Sequence, residues 1–140
     1  MFDLDGTLAA MYNVDGWLEM LMNEDVTPYA EAEPMFNVEQ FAALCEQLVI
    51  AGYTLGVISW TARNGSKEYN REVRKVKKAW CEKYCQQLLN DFHVVKSGTP
   101  KHYIAKGILV DDEQGNRDRW HGATIDPTCG DFMKKLEALL

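Results

Sequence analysis

Apolar residues along the chain come in two kinds of run, short unbroken blocks and longer stripes that recur every three or four positions. The blocks are Tyr53 to Trp60 (YTLGVISW), Phe92 to Val95 and Gly107 to Val110. Unbroken apolar blocks of this length predict strands buried on both faces, as in a parallel sheet. Met1-Phe2 leading into Asp3-Leu4-Asp5 predicts a strand end that breaks at Gly6, and Thr124-Ile125 predicts a last short strand. The stripes predict helices. Phe41, Leu44, Cys45 and Leu48 mark one, opened by the Asn37/Gln40 capping pair and closed by Gly52. Tyr69, Val73, Val76, Trp80, Tyr84 and Leu88 mark a longer one, capped by Ser66. Thr99-Pro100 predicts a cap and first position for a short helix starting at Lys101, and Asp131 to Leu140 is amphipathic. Between Ala9 and Phe36 the pattern predicts a short helix around Trp17 to Met22, then an irregular loop through Pro28 and Pro34. Strands alternating with helices predict an α/β fold, a doubly wound parallel sheet flanked by helices in a single domain over residues 1–140. Ligands of such sheets bind beyond the carboxyl ends of the strands, where Asp3, Ser59 and Asp111 fall.

Charge narrows the partners. A formal net charge of -6 repels polyanions, so neither nucleic acid nor an anionic membrane is an expected partner. No apolar run is long enough to cross a bilayer and no secretory leader pattern is present, so the expected location is the cytoplasm. Cys45, Cys81, Cys85 and Cys129 show no CxxC or Cys/His clustering, and reduced thiols are expected, with Cys81 and Cys85 on one helix face. His93, His102 and His121 are scattered and take no role. The basic run Arg71, Arg74, Lys75, Lys77 and Lys78 is assigned to the solvated face of its helix, offset by Glu68 and Glu72.

The chemistry gathers in a few carboxylates. Asp3 and Asp5 are two apart at a strand end, so extended backbone sends both side chains to one side. Gly6 permits the sharp exit behind them, and Thr7 adds a hydroxyl. Asp111-Asp112 is a second acidic cluster at a strand end. Two such clusters facing one another repel unless a hard cation joins them, and oxygen donors suit Mg²⁺. Lys101 adds a positive charge at a helix start, a position that favours it over Lys96. Ser59 ends its strand with a hydroxyl able to donate to a phosphate oxygen, with Thr61 two residues on as its competitor. A carboxylate nucleophile, a second carboxyl for protons, a cation and oxyanion donors are what phosphoryl transfer through a covalent intermediate requires.

Asp3-Leu4-Asp5-Gly6-Thr7-Leu8 resembles the DxDGT(L/V) signature of the haloacid-dehalogenase-like (HAD) hydrolase superfamily. Ser59 after Gly56-Val57-Ile58 resembles its second motif, Lys101 its third, and Asp111-Asp112 after Ile108-Leu109-Val110 its fourth, all in the family's order. The resemblance implies a Rossmannoid sheet with Asp3 as nucleophile and metal ligand. It implies Asp5 as general acid/base with its carbonyl on the metal, Ser59 and Lys101 holding phosphate, and Asp111 completing the Mg²⁺ site. Thr7 and Asp112 would support. A narrower likeness, from Lys78-Ala79-Trp80-Cys81-Glu82-Lys83-Tyr84 to Asp112, is similar to the 5'(3')-deoxyribonucleotidases.

Two departures shape the expectation. Only Met1 and Phe2 precede Asp3 where the family has a full apolar strand, so a strand shortened by trimming or by a misassigned start is expected. The Ala9 to Phe36 insert is small and Phe92 to Lys101 leaves no room for another, so the domain is expected to be capless or minimally capped, with an open site. The expected function is Mg²⁺-dependent hydrolysis of small phosphate esters, nucleoside monophosphates first, with Trp60 as a substrate contact. The alternatives are a phosphatase acting on nucleic-acid ends and a catalytically idle binding or regulatory module of the same fold.

Overall fold

The computed structural model describes residues Met1–Leu140. The fold is mixed α/β, with four short parallel strands in two pairs. In chain order the elements are α1 (Trp17–Met22), α2 (Thr27–Glu31), α3 (Val38–Ile50), β1 (Val57–Trp60), α4 (Lys67–Tyr84), β2 (Phe92–Val95), β3 (Leu109–Val110), α5 (Gln114–Arg119), β4 (Thr124–Ile125) and α6 (Phe132–Glu137). Strand β1 pairs with β2, and β3 with β4, both in parallel. Between the two pairs runs the amino-terminal segment, where Phe2 bridges Val57 on one side and Val110 on the other. Its backbone alternates partners: Phe2 N–H donates to Gly56, Asp3 N–H to Val110, and Phe2 C=O accepts from Ile58.

Strand residues send alternate side chains to opposite faces. Phe2, Leu4, Val57 and Val110 enter the main core with Phe41 and Leu48 of α3 and Val73 and Trp80 of α4. Ile58 and Leu109 enter a small second cluster closed by Trp120. Burial on both faces is the physical reason these strand blocks are apolar throughout. Phe2 packs edge-on against Phe41 at 5.6 Å, tying the central segment to α3.

The capping expectations hold at α3, where Gln40 N–H donates to Asn37 Oδ1 at 2.9 Å, and at α4, where Tyr69 N–H donates to Ser66 Oγ at 3.1 Å. Gly52 leaves α3 with φ +100°, open to glycine at little cost. Other expectations are corrected. The stretch assigned to an irregular loop contains α2, because Pro28 sits in its first turn, where no N–H is needed. The block from Tyr53 forms a strand only from Val57, and the Tyr53 hydroxyl instead donates to the Leu139 carbonyl. Lys101–Tyr103 is a single 3₁₀ turn without a side-chain cap, and Thr99 uses its carbonyl to accept from Trp60 Nε1 at 2.8 Å. Helix α5 was not foreseen, since Gln114 to Arg119 carries no apolar stripe. All four cysteines are free, three of them buried. No helix is long and apolar enough to cross a membrane.

Candidate active site at the carboxyl edge of the strands

Asp3 leaves the central segment just after its bridge, and Asp111 continues β3, its N–H bonded to Ile125. Lys101 reaches both, with Nζ 2.9 Å from Asp3 Oδ1 and 2.6 Å from Asp111 Oδ2. All three side chains are buried, and Asp111 has no exposed surface. Asp111 is held further by the Glu113 N–H at 2.8 Å and by Asn116 Nδ2 at 3.1 Å. Thr7 fixes the neighbouring acid: its hydroxyl donates to Asp112 Oδ1 and accepts from the Asp112 N–H, each at 3.0 Å. Arg117 donates to the carbonyls of both Asp111 and Asp112, setting the bend that follows β3. Carboxylate oxygens of Asp3, Asp111 and Asp112 consequently lie within 4.8 Å of one another.

Gly6 makes this convergence sterically feasible. Its φ is +80°, and a Cβ there would come within 2.5 Å of Asp112 Oδ2 and 3.0 Å of the Tyr12 ring. Any side chain would push the DxDG turn away from Asp112.

Asp5 goes elsewhere. Its Oδ2 lies 2.7 Å from Lys77 Nζ, which also donates to Ser59 Oγ at 2.9 Å and to the Trp60 carbonyl at 2.6 Å. Lys77 is 2% exposed, so its assignment to the solvated face of α4 is overturned; the other four basic residues of that run are exposed. The signal was present. Lys77 stands four residues after Val73 and three before Trp80, on the apolar stripe itself. Asn116 was also missed, lying on a helix no stripe announced. Ser59 is fully buried and its hydroxyl accepts from Lys77, so it orients that ammonium within the fold. Its competitor Thr61 is engaged too, accepting from Ser97 N–H. Lys96 is exposed and makes no ion pair, which leaves Lys101 as the lysine of the acidic cluster. Trp60 lies between, its ring 5.4 Å from Lys101 Nζ.

Four carboxylates thus share two ammonium groups, and Asp5, Asp111 and Asp112 are shifted by it. Burial, then repulsion from Asp3, pushes Asp112 up to about 7. The same two causes raise Asp111. Burial raises Asp5 despite Lys77 beside it. Burial pulls Lys101 down, but Asp3 and Asp111 outweigh it and hold it above the usual lysine range.

Compared with known proteins, the chain matches no family model and no curated protein. A separate, mostly apolar cavity of about 510 Å³ lies at the other end of the strands, lined by Met1, Leu55, Ile108 and Leu136 among others, and holds none of these groups.

Proposed function

We propose that this chain is a Mg²⁺-dependent phosphomonoester hydrolase of the haloacid-dehalogenase-like kind, with Asp3 as the nucleophile. The observation that carries the reading is the convergence of Asp3, Asp111 and Asp112 around Lys101, from chain positions more than a hundred residues apart. Stability alone does not call for three buried or half-buried carboxylates in mutual repulsion, since such a cluster costs desolvation that one lysine offsets only in part. The order β2, β1, Met1–Asp3, β3, β4 supports reading the two strand pairs as one doubly wound Rossmannoid sheet, with the site at its carboxyl edge.

The donors fit a hard divalent cation, being all oxygen and short of positive charge. The carboxylates of Asp3, Asp111 and Asp112 would hold it, together with the Asp5 backbone carbonyl that the resemblance implies. When bound, Mg²⁺ supplies charge neutralisation at the phosphate oxygens. In the chemical step Asp3 Oδ attacks phosphorus, the bond to the leaving oxygen breaks, and Asp5 gives that oxygen its proton. Burial raises Asp5 above the usual carboxylate range, the direction that favours a proton-carrying acid. Asp5 then takes a proton from the water that cleaves the aspartyl phosphate, releasing inorganic phosphate and restoring both acids. Lys101 holds a phosphate oxygen beside Asp3, and Lys77 keeps Asp5 aimed.

Small phosphate esters are the substrate class, nucleoside monophosphates first, and α1 and α2 form the minimal cap. The test is hydrolysis of a chromogenic phosphate ester in Mg²⁺ and in EDTA, by wild type and by Asp3→Asn. Turnover that needs both Mg²⁺ and Asp3 supports the reading; turnover by Asp3→Asn equal to wild type sinks it.

A further inference from the structure

Beside the acidic cluster lies a cleft of opposite character. It is about 710 Å³ in volume and is formed by the chain after β1 and the chain after β2, at the same carboxyl edge as Asp3. Trp60, Arg63, Asn64, Asn70, Lys96 and Ser97 line it, and no carboxylate does. In a chain with 21 acidic and 15 basic residues, a concave surface with two cations and no acid is a local reversal of sign. Arg63 and Lys96 are exposed, and neither side chain forms an ion pair or a hydrogen bond within the fold. The backbone N–H groups of Arg63, Asn64 and Gly98 likewise have no protein acceptor. The residues that line the cleft thus carry two charged side chains and three backbone N–H groups with nothing of the protein's own to bind.

Trp60 connects this cleft to the catalytic groups. Trp60 lines the cleft, and its ring stands 5.4 Å from the Lys101 ammonium, itself 2.9 Å from Asp3. The indole is fixed in place by its N–H bond to Thr99. One residue thus borders both the cleft and the lysine that pairs with Asp3.

We propose that the cleft is a second anion subsite, and that the substrate is a phosphate monoester whose leaving group carries another phosphate. The inference rests on the phosphatase reading and makes its substrate class narrower. Phosphate matches the donor set because its several oxygens accept at once from a guanidinium, an ammonium and backbone N–H groups. A single carboxylate would leave most of these donors unused. The second phosphate comes either from a small bisphosphate or from the diester of an oligonucleotide end, and the two differ in charge and in size.

The experiment compares kcat/KM of the full chain in Mg²⁺ on a nucleoside 5'-monophosphate, the 3',5'-bisphosphate of the same nucleoside, and the matching 5'-phosphorylated dinucleotide. Wild type is run beside Arg63→Gln, Lys96→Gln and the double variant, with melting temperatures to verify folding. Wild type should prefer the bisphosphate over the monophosphate by about tenfold or more, the effect of one good charge-assisted contact. The double variant should lose that preference and keep its rate on the monophosphate. If the dinucleotide shares the preference, the second phosphate is accepted as a diester and polynucleotide ends are the source; if it does not, small bisphosphates are. A wild type without preference, or a double variant that retains it, overturns the proposal. Absence of turnover on all three substrates means that the phosphatase reading has failed. Calorimetric binding of the bisphosphate then decides the subsite: loss of affinity in the double variant upholds it, and unchanged affinity overturns it.

Discussion

The molecule buries two lysine ammonium groups, and each meets one aspartate of the Asp3-Leu4-Asp5 turn, yet the two surroundings differ in balance. Lys77 faces one carboxylate, a serine hydroxyl and a backbone carbonyl, and its ring neighbour is Tyr29 at 4.8 Å. One ammonium meets one carboxyl group there, with every ammonium donor used. Lys101 instead faces Asp3 and Asp111 directly, with Asp112 close behind. Its side of the turn is left with surplus negative charge. The lesson is that the two halves of a DxD turn are prepared for different tasks. The Lys77 half is complete as a protein structure and fixes the Asp5 carboxyl, the proton carrier of the proposed reaction. The Lys101 half is the one that the proposed Mg²⁺ would complete.

The sharpest way to break this comparison is at Asp3. Asp3→Asn should lower phosphate-ester turnover by roughly 10³-fold or more, because an amide is no nucleophile. The same change removes a repelling charge from Asp111 and Asp112, so in EDTA the variant should melt no lower than wild type. A clear fall in melting temperature would show that the cluster holds the fold together instead.

Next come the lysines themselves. Lys77→Met strands Asp5 without a counter-charge, and breaking a buried pair from one side costs about 3–5 kcal/mol. Pairing it with Asp5→Asn should recover much of that loss, and Mg²⁺ should restore little. Lys101→Met should also destabilise in EDTA, but there Mg²⁺ should recover a large share. Urea unfolding of the three variants with and without Mg²⁺ reads the difference directly. Equal rescue of both single variants by Mg²⁺ would erase the distinction between the two halves.

Titration offers a subtler probe. In the fold Asp112 keeps its proton up to about pH 7, whereas the unfolded chain releases it near the usual 3.8. Folding therefore takes up a proton between those values, and this contribution to stability is present below about pH 4 and lost as pH rises through about 7. The raised values of Asp5 and Asp111 act in the same direction. Stability in EDTA should thus fall by on the order of 1–3 kcal/mol from pH 4.5 to 7.5. Mg²⁺ should flatten or reverse the slope, since it binds the ionised acids. A slope of the same size in both conditions would separate the acids from any cation.

The smallest expected effect is at Trp60. Trp60→Phe keeps a ring beside Lys101 but loses the N–H bond to Thr99, worth about 1 kcal/mol. It should raise KM for nucleotides more than it lowers kcat. An equal change in both would place Trp60 in support of the fold alone.

The Lys101 half was legible in the sequence and the Lys77 half was not, for a physical reason. Asp3, Gly6, Thr7, Asp111 and Asp112 all sit where an apolar block meets a turn, and that local signal survives without knowledge of the fold. Lys101 was marked by Pro100 before it, although the cap assigned to Thr99 proved to be a carbonyl contact. Lys77 stood among four exposed basic residues on the same helix, so charge pattern hid it while the apolar stripe pointed to it. Ser59 was placed at the right strand end, but which neighbour its hydroxyl meets depends on the packing of α4. Helix α2 was missed because Pro28 was taken to interrupt structure where it starts it. The arrangement of the strands around Phe2 could not be read from any local window, since it joins residues from three distant parts of the chain.

The same long-range joining governs when the site comes into existence. Thr7 and Asp112 share two hydrogen bonds across a separation of 105 positions, and Phe2 lies between β1 and β3. A nascent chain presents the Asp3 segment before β3, with Phe2 and Leu4 bare, and cannot cover both flanks until β3 has been made. Contacts of such span close late, because loop entropy must be met before they stabilise anything. Partly synthesised or carboxyl-truncated chains should therefore be inactive and prone to associate through that segment. If the proposed phosphatase activity is present, its appearance during refolding would mark the last event on the folding route, closure of Phe2 and Thr7 against residues a hundred positions later.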